Sequence, residues 1–227
     1  MRNRYALYAD DGTPAVVVNG RARSPFFLVC EHASKRIPAV LGDMGLNRKE
    51  LHSHIAWDIG AGAVARHMSK LLDAPLVLQR YSRLVYDCNR PPESASAIPE
   101  VSEATAIPAN RDLQADDKKA RAEELYFPFH ERISALLDER QADGQVPILV
   151  TIHSFTPVYL GKPRHLDLGI LHDEDDRFAN AMLDVAAGDT AHVTLRNEPY
   201  GPQDGVTHTL NLHSRERSLL NVMLEIR

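Results

Sequence analysis

The segment PILVTIH at residues 147–153 constrains the fold most. It is a short aliphatic run with no polar alternation, so as a strand it is apolar on both faces. A sheet covered on one side only favours alternating apolar and polar residues. Strands of this kind belong instead to parallel or mixed sheets with helices packed on both sides. The rest of the chain suits that frame. PFFLVC at 25–30, PLVLQ at 75–79 and LVYDC at 84–88 have the same character, and residues 166–172, 191–196 and 219–226 (LLNVMLEI) also read as strands.

Longer amphipathic stretches lie between them. Asn47 with Glu50 three residues on forms a variant of the capping box and opens a short helix. Residues 58–73 place Ile59, Ala63, Met68, Leu71 and Leu72 near one helical face, and Pro75 ends that pattern. Residues 116–141 carry Leu125, Phe129, Ile133 and Leu137 at four-residue spacing, with Pro128 inside predicting a kink or break. Residues 175–187 are helical, and 93–110, rich in Pro, Ala, Ser and Glu, read as a long loop. The expectation is an α/β fold: one domain over residues 1–227, with three α/β/α layers about a central mixed, largely parallel sheet.

Composition narrows the function. The 227 residues carry 26 Lys plus Arg against 31 Asp plus Glu, a net charge of -5 that argues against a nucleic-acid partner. No apolar run approaches the roughly 20 residues a membrane helix needs. The first residues, MRNRYALYADDG, lack the apolar core of a signal peptide, and two cysteines, Cys30 and Cys88, suit a reducing cytoplasm.

In such folds ligands bind beyond the carboxyl ends of the strands. The strand at 26–30 runs into Glu31, His32 and Ser34; the one at 148–152 into His153 and Ser154; LVYDC into Asn89 and Arg90. The last strand carries Glu225. His32 and His153 are candidate metal ligands, with Asp58 or Glu31 as a third, although no HExxH or CxxC array accompanies them. Arg83, Asn89 and Arg90 could grip a carboxylate, or the arginines could pair with surface acids such as Asp87 or Glu93. Glu225 either alternates out to solvent or, buried beside a cation, serves as a general base. Cys30 beside His32 offers a thiol nucleophile, though a cysteine at an apolar strand end usually just packs. The other nine histidines (His52, His54, His67, His130, His165, His172, His192, His208 and His213) are expected mostly at the surface.

VCEHASKRIP, HIAWDIGAGAVARHMSKLLDAPLVLQRYSRLVYDCNRP, TIHSFTPVY and NVMLEIR together resemble the N-formylglutamate amidohydrolase family, from about Phe26 to the C-terminus. That family is similar to zinc carboxypeptidases and aspartoacylases, with an α/β hydrolase-like core. The resemblance implies Zn2+ or another divalent metal on His32, Asp58 and His153, and Glu225 as general base. It implies Asn89 and Arg90 as a carboxylate clamp, with Ser154 as a further substrate-binding residue, and Arg83 on the oxyanion or on the substrate's second acidic group. The implied substrate is a small N-acyl amino acid such as N-formyl-L-glutamate, cleaved to the amino acid and formate, with the oligomeric state unassigned. A thiol-dependent hydrolase and a non-catalytic small-carboxylate-binding protein of the same fold are the alternatives. The chain ends two residues after Glu225, where the family is expected to run on into a further segment.

Overall fold

The computed structural model describes residues 12–227. The N-terminal stretch read above for a signal peptide lies outside them, Gly12 excepted. Among the described residues eleven strands form, in chain order, β1 (Ala15–Val18), β2 (Phe26–Cys30), β3 (Leu76–Gln79), β4 (Val101–Ser102), β5 (Thr105–Ala106), β6 (Ile148–Ser154), β7 (Val158–Tyr159), β8 (Lys162–Pro163), β9 (Leu168–Leu171), β10 (Thr194–Arg196) and β11 (Asn221–Ile226). The helices are α1 (Arg48–Leu51), α2 (Ala61–Leu71), α3 (Ala115–Arg121), α4 (Phe127–Ala142), α5 (Arg177–Ala186) and α6 (His208–Ser214).

Seven strands make one sheet in the order β1-β3-β2-β6-β11-β9-β10. The four central strands, β3 to β11, are parallel; β1 on β3 and β9 on β11 are antiparallel. The sheet is mixed and mostly parallel, as expected for an α/β chain.

Period-two alternation sorts the core into two layers. Phe27, Val29, Leu149 and Met223 point to the face covered by α4 and α6 through Phe129, Ile133, Leu137 and Leu210. Leu28, Cys30, Val150, Ile152 and Leu224 point to the other face, against Ala61 and Ala65 of α2 and Ala179 of α5. Residues on both faces of β6 and β2 are buried, which explains their unbroken apolar runs.

Several expectations need correction. LVYDC is buried but is not a strand: it folds as a turn between β3 and the long loop. Helix α2 starts at Ala61 rather than Asp58, and its buried stripe is Ala61, Ala65 and Ser69. Ile59 and Leu71 are instead exposed, Leu71 by 82%. Apolarity alone could not place that face, because the small residues are the ones that touch the sheet. In the 116–141 region the helix continues through a wide π turn, Ala122–Tyr126, just before Pro128. A wider turn accommodates a ring that has no N–H to give the preceding turn. The 93–110 loop contains the small β4–β5 hairpin, and β1 and α6 were not foreseen.

Candidate active site

The site forms where β2, β6 and β11 end. Glu225 and His153 are direct register partners on neighbouring parallel strands. Both share the parity of Leu149 and Met223, so both project to the same side of the sheet. His32 follows β2 by two residues. Asp58 is brought to it by backbone, because its N–H donates to the His32 carbonyl (3.0 Å). Its own carbonyl accepts from the Ala61 N–H (3.2 Å) as α2 begins. Ser154 secures the same loop, its hydroxyl donating to the Ile59 carbonyl at 2.9 Å. Gly62 allows the close approach, since a Cβ there would sit 2.9 Å from the Ala33 carbonyl oxygen.

Asp58 Oδ2 lies 2.7 Å from His153 Nδ1 and 3.3 Å from His32 Nδ1. The two rings are 4.9 Å apart and nearly perpendicular. The far nitrogen of each ring faces a different carboxylate: His32 Nε2 lies 2.7 Å from Asp87 Oδ1, and His153 Nε2 lies 3.1 Å from Glu31 Oε2. Asp58 therefore sits between the histidines, and Glu31 sits behind one of them. His32, Asp58 and His153 are buried and offer three ligand atoms within 4.8 Å of one another, a cluster that could hold a metal ion. Arg83 bridges the acids, donating to Asp87 Oδ2 at 2.9 Å and reaching Asp58 Oδ1 at 3.5 Å.

Burial disfavours charge on every member of this cluster, and the partners overrule it. His32 is raised by Asp87 and Asp58 against burial and Arg83. His153 is raised well above the usual imidazole value, the carboxylates of Glu31 and Asp58 outweighing burial. Burial likewise opposes ionisation of Asp58, Asp87 and Glu31, yet the facing imidazoles, with Arg83 at Asp87, hold all three low. Glu225 behaves in the opposite way. It is 5% exposed, its Oε2 has no hydrogen-bond partner among the described residues, and burial pushes its carboxyl up to about 7.

A cavity of about 640 Å³ opens over these groups, lined by His32, Asp58, Arg83, His153 and Glu225, and further out by Arg90 and Ser154. That volume is typical of small-molecule sites. Asn89 borders it with its amide engaged: Nδ2 donates to the Val206 carbonyl (2.6 Å) and Oδ1 accepts from the Thr209 N–H (3.0 Å). Arg90 donates through Nη1 to the carbonyls of Asn89 (2.7 Å) and Gly205 (3.0 Å). Both residues thus hold the 205–209 segment over the cavity.

Cys30 points away from the site into the α2 layer, where burial raises its thiol well above the usual value. Three histidines expected at the surface are inside: His130 and His213 are buried and 2.8 Å apart, and His208 is half-buried. Sequence reasoning overlooked Asp87 as a partner of His32, although its place two residues before Asn89 was a usable signal. It also overlooked Arg164 and Tyr200, which line the same cavity and carry no motif.

The profile of the family described as N-formylglutamate amidohydrolase matches residues 24–227. Gene product Atu2144 from Agrobacterium tumefaciens has a crystal structure 55% identical in sequence, superposing with a TM-score of 0.93 over 95% of this chain and 85% of that one. N-formylglutamate amidohydrolase from Ralstonia eutropha JMP134 is 15% identical, with a TM-score of 0.64 over 95% and 86% of the two chains, and so shares the fold. No curated protein matches the chain. Among the described residues no helix is long and apolar enough to cross a membrane. With a profile match over nearly its whole length, the chain belongs to the N-formylglutamate amidohydrolase family, a family of amide-hydrolysing enzymes acting on small molecules.

Proposed function

We propose that this protein is a metal-dependent amidohydrolase that cleaves N-acyl, foremost N-formyl, acidic amino acids, releasing the free amino acid and the carboxylate of the acyl group, formate for an N-formyl substrate. One observation carries the reading: two imidazole Nδ1 atoms converge on a single Asp58 oxygen in a cavity that is also lined by a buried Glu225, whose Oε2 has no hydrogen-bond partner among the described residues.

The donor set fits a divalent metal. His32, Asp58 and His153 supply two nitrogens and a carboxylate oxygen, the set favoured by zinc but open to other ions. A carboxylate on the outer nitrogen of each ring is the usual way of fixing a metal-ligating histidine's tautomer and orientation, and Asp87 and Glu31 occupy those positions. When bound, such an ion polarises the scissile carbonyl and makes water a better nucleophile near neutral pH.

The remaining work falls to the protein's own side chains. Glu225 accepts the proton lost by the attacking water and returns it to the leaving amine nitrogen. Arg83, fixed between Asp58 and Asp87, faces the charge that develops on the carbonyl oxygen. Arg90 spends Nη1 on two carbonyls and keeps the rest of its five-donor fork for the substrate α-carboxylate. Asn89 and Ser154 hold that wall in place through the 205–209 segment and the Asp58 loop.

The test is metal analysis joined to hydrolysis of N-formyl-L-glutamate. His153→Ala is expected to lose the bound metal and all turnover. Glu225→Gln is expected to keep the metal and lose about 10²–10⁴-fold in kcat. Full metal occupancy in His153→Ala removes that ligand assignment, and an unchanged rate in Glu225→Gln removes the base. The buried Cys30 predicts that Cys30→Ala stays active, against a thiol mechanism.

A further inference from the structure

The cavity lining holds a cation with no use in the scheme above. Arg164 follows the β7–β8 hairpin, where its N–H donates to the Pro157 carbonyl at 2.8 Å. Its guanidinium carbon lies 4.6 Å from the centre of the Tyr159 ring, 4.8 Å from Tyr200 and 5.7 Å from Phe155. Aromatic rings around a guanidinium hold it in place and favour its charged form. Nη1 is buried and has no hydrogen-bond partner among the described residues.

Charge bookkeeping around the cavity singles out this group. Arg83 is neutralised by Asp58 and Asp87. Arg164 faces the same cavity, and no carboxylate lies within ion-pair distance of it among the described residues. A caged cation with an unspent Nη1, in a cavity already offering Arg90 for one carboxylate, fits a ligand with two.

We propose that Arg164 is a specificity-determining residue that binds the side-chain carboxylate of the substrate, restricting the enzyme to N-acyl dicarboxylic amino acids. This rests on the amidohydrolase reading, and it relieves Arg83 of the second acidic group. Tyr159, Tyr200 and Phe155 act as positioning residues that keep the guanidinium plane fixed.

The experiment compares N-formyl-L-glutamate with its isosteric neutral counterpart, N-formyl-L-glutamine, on metal-loaded wild type, Arg164→Met and Arg164→Lys. Wild type is expected to prefer the diacid. Arg164→Met is expected to lose about 100-fold in kcat/KM on the diacid, chiefly through KM, the size of one charge-assisted bidentate contact. Its rate on the amide stays within about threefold. Arg164→Lys, keeping the charge without the fork, recovers part of the preference. Equal losses on both substrates, or an unchanged ratio, overturn the assignment. Calorimetric binding of glutarate and glutaramic acid to the same proteins separates the two layers of inference. If no N-acyl amino acid is hydrolysed, the amidohydrolase reading fails. A glutarate preference abolished by Arg164→Met then still supports the arginine site, and equal affinities refute it.

Discussion

Strand β6 and the turn at residues 84–88 are similarly apolar and buried, yet their backbones are satisfied in opposite ways. β6 pairs with β2 on one side and β11 on the other, so its N–H and C=O groups belong to a ladder. The turn has no ladder. The Leu84 carbonyl accepts from Asn110 Nδ2 (2.9 Å), that of Val85 from Arg121 Nη1 (3.1 Å), and that of Cys88 from His130 Nε2 (2.8 Å). Buried backbone must be bonded somewhere. Here three side chains, from the long loop, α3 and α4, replace a neighbouring strand. Asp87 lies in that turn and Asn89 and Arg90 follow it directly, so half the candidate site hangs on polar side chains far away in sequence. The other half, His153 and Glu225, hangs on main-chain pairing that side-chain changes hardly touch.

The sharpest way to break this contrast is Arg121→Ala. Arg121 also donates to Asn110 Oδ1 (2.7 Å) and the Ala109 carbonyl (3.2 Å), and burial pulls its pKa down to about 10. Its removal orphans several buried acceptors at once, and denaturant titration is expected to show a loss of about 3–5 kcal/mol. A loss below about 1 kcal/mol would mean the turn stands without it.

Asn110→Ala comes next. It deprives the carbonyls of Leu84 and Pro99 of a donor and Arg121 of an acceptor, for an expected loss of about 2–3 kcal/mol. In folded protein it should also raise KM, because the turn leads into Arg90, the proposed carboxylate clamp.

The third prediction concerns pH. His130 gives its Nε2 proton to the Cys88 carbonyl, so its Nδ1 accepts from His213 Nε2, and Ser134 closes the chain at 3.3 Å. Burial first, then neighbouring positive charge, pushes both imidazoles down to about 3. An unfolded histidine protonates near 6.5. The unfolded chain therefore binds more protons across that window, and stability present in full above about 6.5 is lost as pH falls toward 3. The slope is at most about 1.4 kcal/mol per pH unit for each group. Unfolding measured from pH 7 to 4 should fall less steeply in His213→Gln than in wild type. Parallel curves would show that the pair is not protonated on unfolding.

The smallest effect belongs to the ladder. Thr151 in β6 is buried, and its hydroxyl makes no hydrogen bond to the described residues. Thr151→Val should be neutral or stabilising by up to about 1 kcal/mol in thermal melts. A large loss there would erase the distinction between the two regions.

The sequence by itself determined the strands that are buried on both faces, because a continuous apolar run has few other homes. β2, β3, β6 and β11 stand where their patterns put them, as does the Leu125–Leu137 stripe of the long helix. It also presented the histidines, Asp58 and Glu225 as polar residues at the ends of such runs. Tertiary structure alone decided which strands are neighbours, and so made Glu225 the partner of His153, since strand order is not written in any local period. It decided that Asp58, and not Glu31, stands between the two imidazoles, because a backbone bond to His32 fixes where the α2 entrance lies. It turned LVYDC from an expected strand into a turn, for hydrogen bonds arriving from Asn110, Arg121 and His130 leave no trace in the pattern of the segment that receives them. The cage around Arg164 is of the same kind: Phe155, Tyr159 and Tyr200 meet only after a strand, a hairpin and a distant loop have packed together, and no motif spans that separation.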